Sequence, residues 1–218
     1  MKKIGVVLSG CGVRDGSEIH EAVLTLLAID RNGAQAICLA PDMEFEVVNH
    51  LNMNDTGTTR NVLAESARIA RGEISDIKTV SASDLDALVF PGGFGAAKNL
   101  CSFAAEGAQG TVQPEVLSLL REMVNAKKPI CAICIAPALV ALALGKDLSP
   151  QITIGNDPGT AQAIAATGSK HVECAVNDCV IDRENLIVST PAYMLAGRIS
   201  EAADGIEKAI KATLELIK

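Results

Sequence analysis

At 218 residues, 49% hydrophobic and 21% charged, the chain is long enough for one large domain with a full core and too short for two comfortable ones. A formal charge of −7 without any Lys/Arg run removes the phosphate attraction on which nucleic-acid binding depends, and 2% aromatics leave no platform for stacked bases. No stretch nears the roughly 20 apolar residues that span a bilayer, and Ser9-Gly10-Cys11-Gly12 cuts the apolar run behind Lys2-Lys3 far short of a signal peptide.

In chain order, Lys3 to Leu8 reads as a buried strand and Ile19 to Asn32 as a helix closed by Gly33. Gln35 to Leu39 is a second strand ending before Pro41, and Asn61 to Ala70 a helix closed near Gly72. Leu85 to Phe90 is a third buried strand, stopped by Pro91-Gly92-Gly93. Val112 to Ala126 carries Val116, Leu119, Leu120 and Met123 at helical spacing, and Ile130 to Ile133 is the next strand. Ile152 to Ile154 is predicted as a strand and Thr160 to Thr167 as a short helix before Gly168. Cys179 to Asp182 and Leu186 to Thr190 form a predicted hairpin, and Ala192 to Lys218 one long final helix. Strands alternating with helices predict an α/β domain over residues 1–218, a mainly parallel sheet with helices on both faces. Seven cysteines, odd in number and without a framework, read as reduced thiols, which places the protein in the cytoplasm.

Ligands of such sheets sit outside the carboxyl ends of the strands. At one of those ends a β-prone run, Lys128 to Ile133, breaks at Cys134 into the helix-forming Ile135-Ala136-Pro137-Ala138-Leu139-Val140. A cysteine on that hinge faces the first turn of a helix, whose dipole favours the thiolate and whose free amides can hold an oxyanion. This is the pattern of a nucleophile elbow, with Ala132 and Ala136 where glycines usually stand. Gly92 and Gly93, after another buried strand, let the backbone aim amides at a ligand, so that the amide of Gly93 stands opposite that of Ile135; the alternative is a plain strand-to-helix turn.

Glu18 and Glu21 lie one turn apart around His20. Such carboxylates are commonly solvated partners of a helix dipole. Glu21, however, precedes Ala22-Val23-Leu24 at the edge of a burying face, where desolvation would raise its pKa and let it shuttle a proton to or from the cysteine. Cys131 and Cys134 form a C-x-x-C, but Cys131 lies inside the strand and reads as a small buried hydrophobe. His171-Val172-Glu173 is a second candidate acid–base pair, with a surface strand as its alternative, while His20 and His50 have no assigned role. Gly10 and Cys11 belong to a glycine-rich opening that lacks G-x-G-x-x-G and the P-loop lysine, so they are candidate pocket-lining residues together with Glu18 and His20. No metal-ligand spacing emerges from the cysteines and histidines.

Leu8-Ser9-Gly10-Cys11-Gly12-Val13, Asp15 to Val23, Pro91 to Leu100, Cys134-Ile135-Ala136-Pro137-Ala138 and Thr190 to Leu195 together resemble the ThiJ/PfpI superfamily. Within it the chain is especially similar to the ElbB subfamily, called isoprenoid-biosynthesis or sigma-cross-reacting proteins and described as glyoxalases. The resemblance implies a three-layer, flavodoxin-like, class I glutamine amidotransferase-like fold, a homodimer, Cys134 as nucleophile, Glu21 as the carboxyl group that contacts it, and Gly93 and Ile135 as backbone donors. It further implies a glyoxalase that needs no cofactor and turns glyoxal or methylglyoxal into glycolate or lactate. The competing expectations are a redox-sensing or regulatory protein that does no catalysis, and a deglycase that repairs glycated groups. Relatives that act as amidotransferases use a histidine, and no such residue stands beside Cys134 in sequence, where Ile135 follows.

Overall fold

The computed structural model describes residues 1–218. Its strands are β1 (Lys3–Val7), β2 (Gln35–Ala40), β3 (Glu44–Val48), β4 (Asp55–Asn61), β5 (Ile74–Asp76), β6 (Ala87–Phe90), β7 (Ile130–Ile133), β8 (Gln151–Ile152), β9 (Lys170–His171), β10 (Val180–Asp182) and β11 (Ile187–Thr190). The helices are α1 (Ile19–Arg31), α2 (Val62–Ile69), α3 (Phe94–Lys98), α4 (Phe103–Glu106), α5 (Pro114–Asn125), α6 (Ala136–Leu148), α7 (Pro158–Ala166) and α8 (Ile199–Leu216). Seven strands form one sheet in the order β10-β11-β7-β6-β1-β2-β5, all parallel except β10, which runs antiparallel to β11.

The sheet is buried on both faces because its central strands are apolar at every position, and the pleat divides them between two cores. Leu88 and Phe90 of β6 and Ile130 and Ala132 of β7 point into one core, filled by Val116, Leu119, Leu120 and Met123 of α5 and Leu139 and Val140 of α6. Ala87 and Val89, with Cys131 and Ile133, point into the other, where Ala22 and Ile29 of α1 meet Ala202, Ile206 and Ile210 of α8. Each large side chain fully removed from water contributes roughly 1.5–3 kcal/mol. The predicted α/β class with helices on both faces is the observed one.

Helix ends follow side-chain chemistry. Glu18 caps α1 by accepting from the amide of Glu21 at 2.7 Å. Gln113 accepts from Glu115 and Val116 ahead of Pro114, which needs no donor of its own at the first turn of α5. Asn61 and Asp157 cap α2 and α7 in the same way.

Three expectations are corrected. The final helix begins at Ile199 rather than Ala192, because Ala192 adopts φ +43° and Ala192–Met194 form a tight turn that bends the chain over the sheet end. The Ile152–Ile154 strand shrinks to Gln151–Ile152 and pairs only with β9, outside the main sheet. The ribbon β3–β4 and the edge strand β5 were not expected. β4 reads Asp-Thr-Gly-Thr-Thr-Arg-Asn, which carries no apolar alternation, and the ribbon is held instead by Phe45 and Val47 of β3 packing on Ala40 and Val62.

Candidate active site

The strand order reverses between β1 and β6, and the carboxyl ends of β1, β6, β7 and β11 gather there. Cys134 follows β7 at φ +63°, a left-handed backbone that a non-glycine residue takes only where its surroundings enforce it. The enforcement is visible: the Cys134 amide donates to the Thr190 carbonyl at 2.9 Å, and α6 starts two residues on with Pro137 in its first turn. The elbow expected from the sequence is present without its usual glycines.

Glu21 is fully buried beside the thiol. Its Oε2 accepts from the Gly92 amide at 3.0 Å, and its Oε1 from the Tyr193 amide at 3.1 Å. Burial raises its pKa to about 7, against the pull of the Tyr193 amide, the Cys134 thiol and the Gly92 amide, while the charge of Glu18 pushes the same way as burial. Of the two readings of Glu21, the buried one is correct.

Burial, followed by the charge and hydrogen bond of Glu21, holds the Cys134 thiol well above the ordinary cysteine range, although the neighbouring amides of Gly93 and Ile135 pull it the other way. The expected standing thiolate at neutral pH is therefore corrected. Two anions cannot share this dry site, so Cys134 and Glu21 hold a proton between them. Neutralising Glu21 removes its charge from beside the sulfur and leaves burial, the larger effect, still opposing the thiolate.

Glycine is compulsory on the opposing loop. A Cβ on Gly92 would lie 2.4 Å from the Cys134 Cβ and 2.5 Å from Glu21 Oε2. One on Gly93, at φ +95°, would lie 2.3 Å from the Glu18 amide nitrogen. The loop is pinned to the chain after β1: Glu18 donates its amide to Gly92 at 2.9 Å, Phe94 to Val13 at 2.8 Å and Gly95 to Gly16 at 2.9 Å. Buried Asn99 braces both from behind, donating to the carbonyls of Ser9 and Asp15.

The thiol opens into a cavity of about 410 Å³. Glu18, Gly93 and Ile135 line it as expected, together with Phe94, Phe103 and Met194. His20 stands outside, its Nδ1 2.8 Å from the Tyr193 hydroxyl, and Tyr193 lines the cavity. Gly10 and Cys11 do not line it. The Gly10 amide donates to Ser66, and Cys11 sits among Asp15, Glu65 and Arg68, which gives this opening loop a bracing role. His171 is also absent from the wall; it lies on β9, near the Ile154 amide. No group of three or more His, Cys, Asp or Glu side chains is placed to hold a metal ion. The apolar wall residues Phe94, Phe103 and Met194 had no assigned role from the sequence, and neither did Tyr193 and Asn99. Tyr193 acts on Glu21 through its backbone amide, which has no side-chain signature, and Asn99 lies behind the loops it ties.

No family model matches the chain. It is nevertheless 43% identical over 225 residues to the mitochondrial ES1 protein homolog of Rattus norvegicus, covering 98% of the chain and 84% of that protein. The chain belongs to the ES1 family. It is also 43% identical to a human ES1-family relative, the mitochondrial glutamine amidotransferase-like class 1 domain-containing protein 3, over 98% of the chain and 83% of that protein. Among solved structures, an isoprenoid biosynthesis protein with an amidotransferase-like domain from Ehrlichia chaffeensis superposes with TM-score 0.94 at 39% identity, covering all of both chains. The ES1-family chain thus has the class I glutamine amidotransferase-like fold. Glyoxalase III from Candida albicans, at TM-score 0.63 and 14% identity over 99% of this chain and 96% of its own, shares that fold. No helix is long and apolar enough to cross a membrane.

Proposed function

We propose that this ES1-family protein is a glyoxalase that needs no cofactor, as the ElbB-like resemblance implies, and that Cys134 is its nucleophile. The observation that carries the reading is the buried Cys134–Glu21 pair beside the amides of Gly93 and Ile135 at a cavity of about 410 Å³. With a pKa of about 7, Glu21 is partly ionised near neutral pH and accepts the thiol proton as substrate arrives. The sulfur adds to the aldehyde carbon, forming a C–S bond and an oxyanion, and the amides of Gly93 and Ile135 are the donors available to it. Glu21 returns its proton to that oxygen and then, as carboxylate, takes the hydrogen from the same carbon. The electron pair moves to the neighbouring carbonyl through an enediol. Reprotonation of the second carbon leaves a thioester, so one carbon is oxidised as its neighbour is reduced. Water cleaves the C–S bond and releases glycolate from glyoxal, or lactate from methylglyoxal. All seven thiols are free, which suits a reducing compartment.

The test is conversion of glyoxal to glycolate by the purified chain. Cys134→Ser is expected to lower it at least about 10³-fold, and Glu21→Gln by about 10²–10⁴-fold, with circular dichroism unchanged. Undiminished turnover in the serine variant overturns the proposal. Peroxide oxidation of Cys134 without any aldehyde turnover would favour redox sensing, against which stands the raised pKa of the thiol.

A further inference from the structure

Glyoxal and methylglyoxal are small, hydrated and polar, and the cavity beside Cys134 suits neither description. Its volume of about 410 Å³ lies in the range of roughly 300–1,000 Å³ in which pockets enclose far larger molecules. The thiol of Cys134, with Glu21 and the amides of Gly93 and Ile135 close to it, supplies the reacting polar groups, and Glu18, Thr160 and Tyr193 are the other polar residues on the wall. Most of the remaining wall is apolar, formed by Val13, Phe94, Ala97, Phe103, Ala104 and Met194. Water held against such a surface gains when an apolar group displaces it.

Charge narrows the ligand further. Glu18 is the one acidic residue on the wall, and no Lys, Arg or His lines it. A carboxylate or phosphate inside would lose hydration, meet a like charge and find no cation. Arg14 and Lys98 line a neighbouring depression that shares Phe94, Ala97 and Ala104 with the cavity, and Lys98 faces Glu46 at 3.7 Å. Free glutamine, whose carboxylate needs an anchoring cation, is equally ill suited.

We infer, building on the glyoxalase reading above, that this site takes an uncharged 2-oxoaldehyde bearing an aryl or branched-alkyl group in preference to glyoxal or methylglyoxal. The two adjacent carbonyls lie beside the Cys134 thiol and the apolar group lies along Phe94, Phe103 and Met194. For phenylglyoxal the sulfur bonds to the aldehyde carbon, which is oxidised to a thioester while the ketone carbon is reduced to a carbinol. Water then breaks the C–S bond and mandelate leaves.

The experiment compares kcat/KM of the full chain for glyoxal, methylglyoxal, phenylglyoxal and 4-carboxyphenylglyoxal. Phenylglyoxal is expected to exceed methylglyoxal by about 10- to 100-fold, the range that apolar pocket contacts supply. The carboxylated analogue is expected to fall back to methylglyoxal or below, and Ala104→Phe, which fills the space, to lower the phenylglyoxal-to-glyoxal ratio. Glyoxal turned over as well as phenylglyoxal, or the carboxylated analogue as well as its parent, overturns the inference and leaves the glyoxalase reading standing. If no aldehyde is consumed, that reading fails, and alkylation of Cys134 then judges the cavity alone. N-benzyl iodoacetamide outpacing iodoacetate at least tenfold, each normalised to its rate with free cysteine, supports the ligand class; equal normalised rates reject it.

Discussion

Cys131 and Cys134 lie three residues apart on one stretch of chain, both walled in by protein, and only one of them has chemistry around it. Cys131 sits inside β7 with its side chain in the core beneath α8, where burial, eased only by the neighbouring Thr213 hydroxyl, pushes its thiol up to about 12. Cys134 is one residue beyond the strand end, where the chain turns left-handed and directs the sulfur toward Glu21, two amides and the cavity. Burial raises both thiols. What differs is a neighbour able to take the proton and donors able to hold the charge that results. Reactivity at this sheet therefore depends on position at a strand end more than on exposure.

The comparison is broken most severely through Gly92. The Cβ of Gly92→Ala would occupy space held by the Cys134 Cβ and Glu21 Oε2, so the pair must separate. Aldehyde turnover is expected to drop at least about 100-fold, and chemical denaturation to show a loss of roughly 1–3 kcal/mol from overpacking. A variant as active as the parent would mean that the pair does not work through contact.

Glu21 gives the next effect, in stability against pH. Its folded pKa, raised from 4.5 to about 7, means that the folded protein binds the proton more tightly than the unfolded chain. While carboxylates held below their ordinary range, such as Asp178 and Asp182, act the opposite way at acid pH, the contribution of Glu21 to stability is full below about pH 4.5, falls as pH rises toward 7 and levels off above it, a loss on the order of 3 kcal/mol. Cys134 and Glu18 face the same carboxyl group, and the charge on Glu18 adds to the effect. Glu21→Gln should remove that one contribution, so that the variant gains on the parent at pH 8 and not at pH 4.5. Urea titrations across that interval provide the check, and parallel profiles would show that Glu21 is not held neutral by the fold.

Cys131→Ala should do least. Losing a sulfur from a packed strand costs about 1 kcal/mol, read from urea midpoints, with aldehyde turnover within about threefold of the parent. A collapse of activity would instead make the C-x-x-C a working dithiol.

The apolar runs of the central strands and the glycines that close helices at Gly33, Gly72 and Gly168 were legible because each depends on neighbours in sequence. Val116, Leu119, Leu120 and Met123 announce α5 by spacing, and Cys134 announces an elbow because a strand pattern stops where a helix pattern starts. Ribbon β3–β4 was not legible, because its polar strand borrows its apolar support from Ala40 and Val62. Nor was the turn at Ala192, since helix-compatible residues there are bent so that the Tyr193 amide reaches Glu21, 172 positions away in sequence.

By itself, then, the sequence determined the α/β architecture and the elbow, since local patterning decides where strands end and helices start, while the acid beside the elbow was implied by the family resemblance and left open by the residues around Glu21. Tertiary structure alone decided the state of the thiol. Whether the sulfur carries a charge depends on how dry its surroundings are and on which groups converge there from β6, α1 and the turn after β11, and those distances exist only once the sheet has assembled.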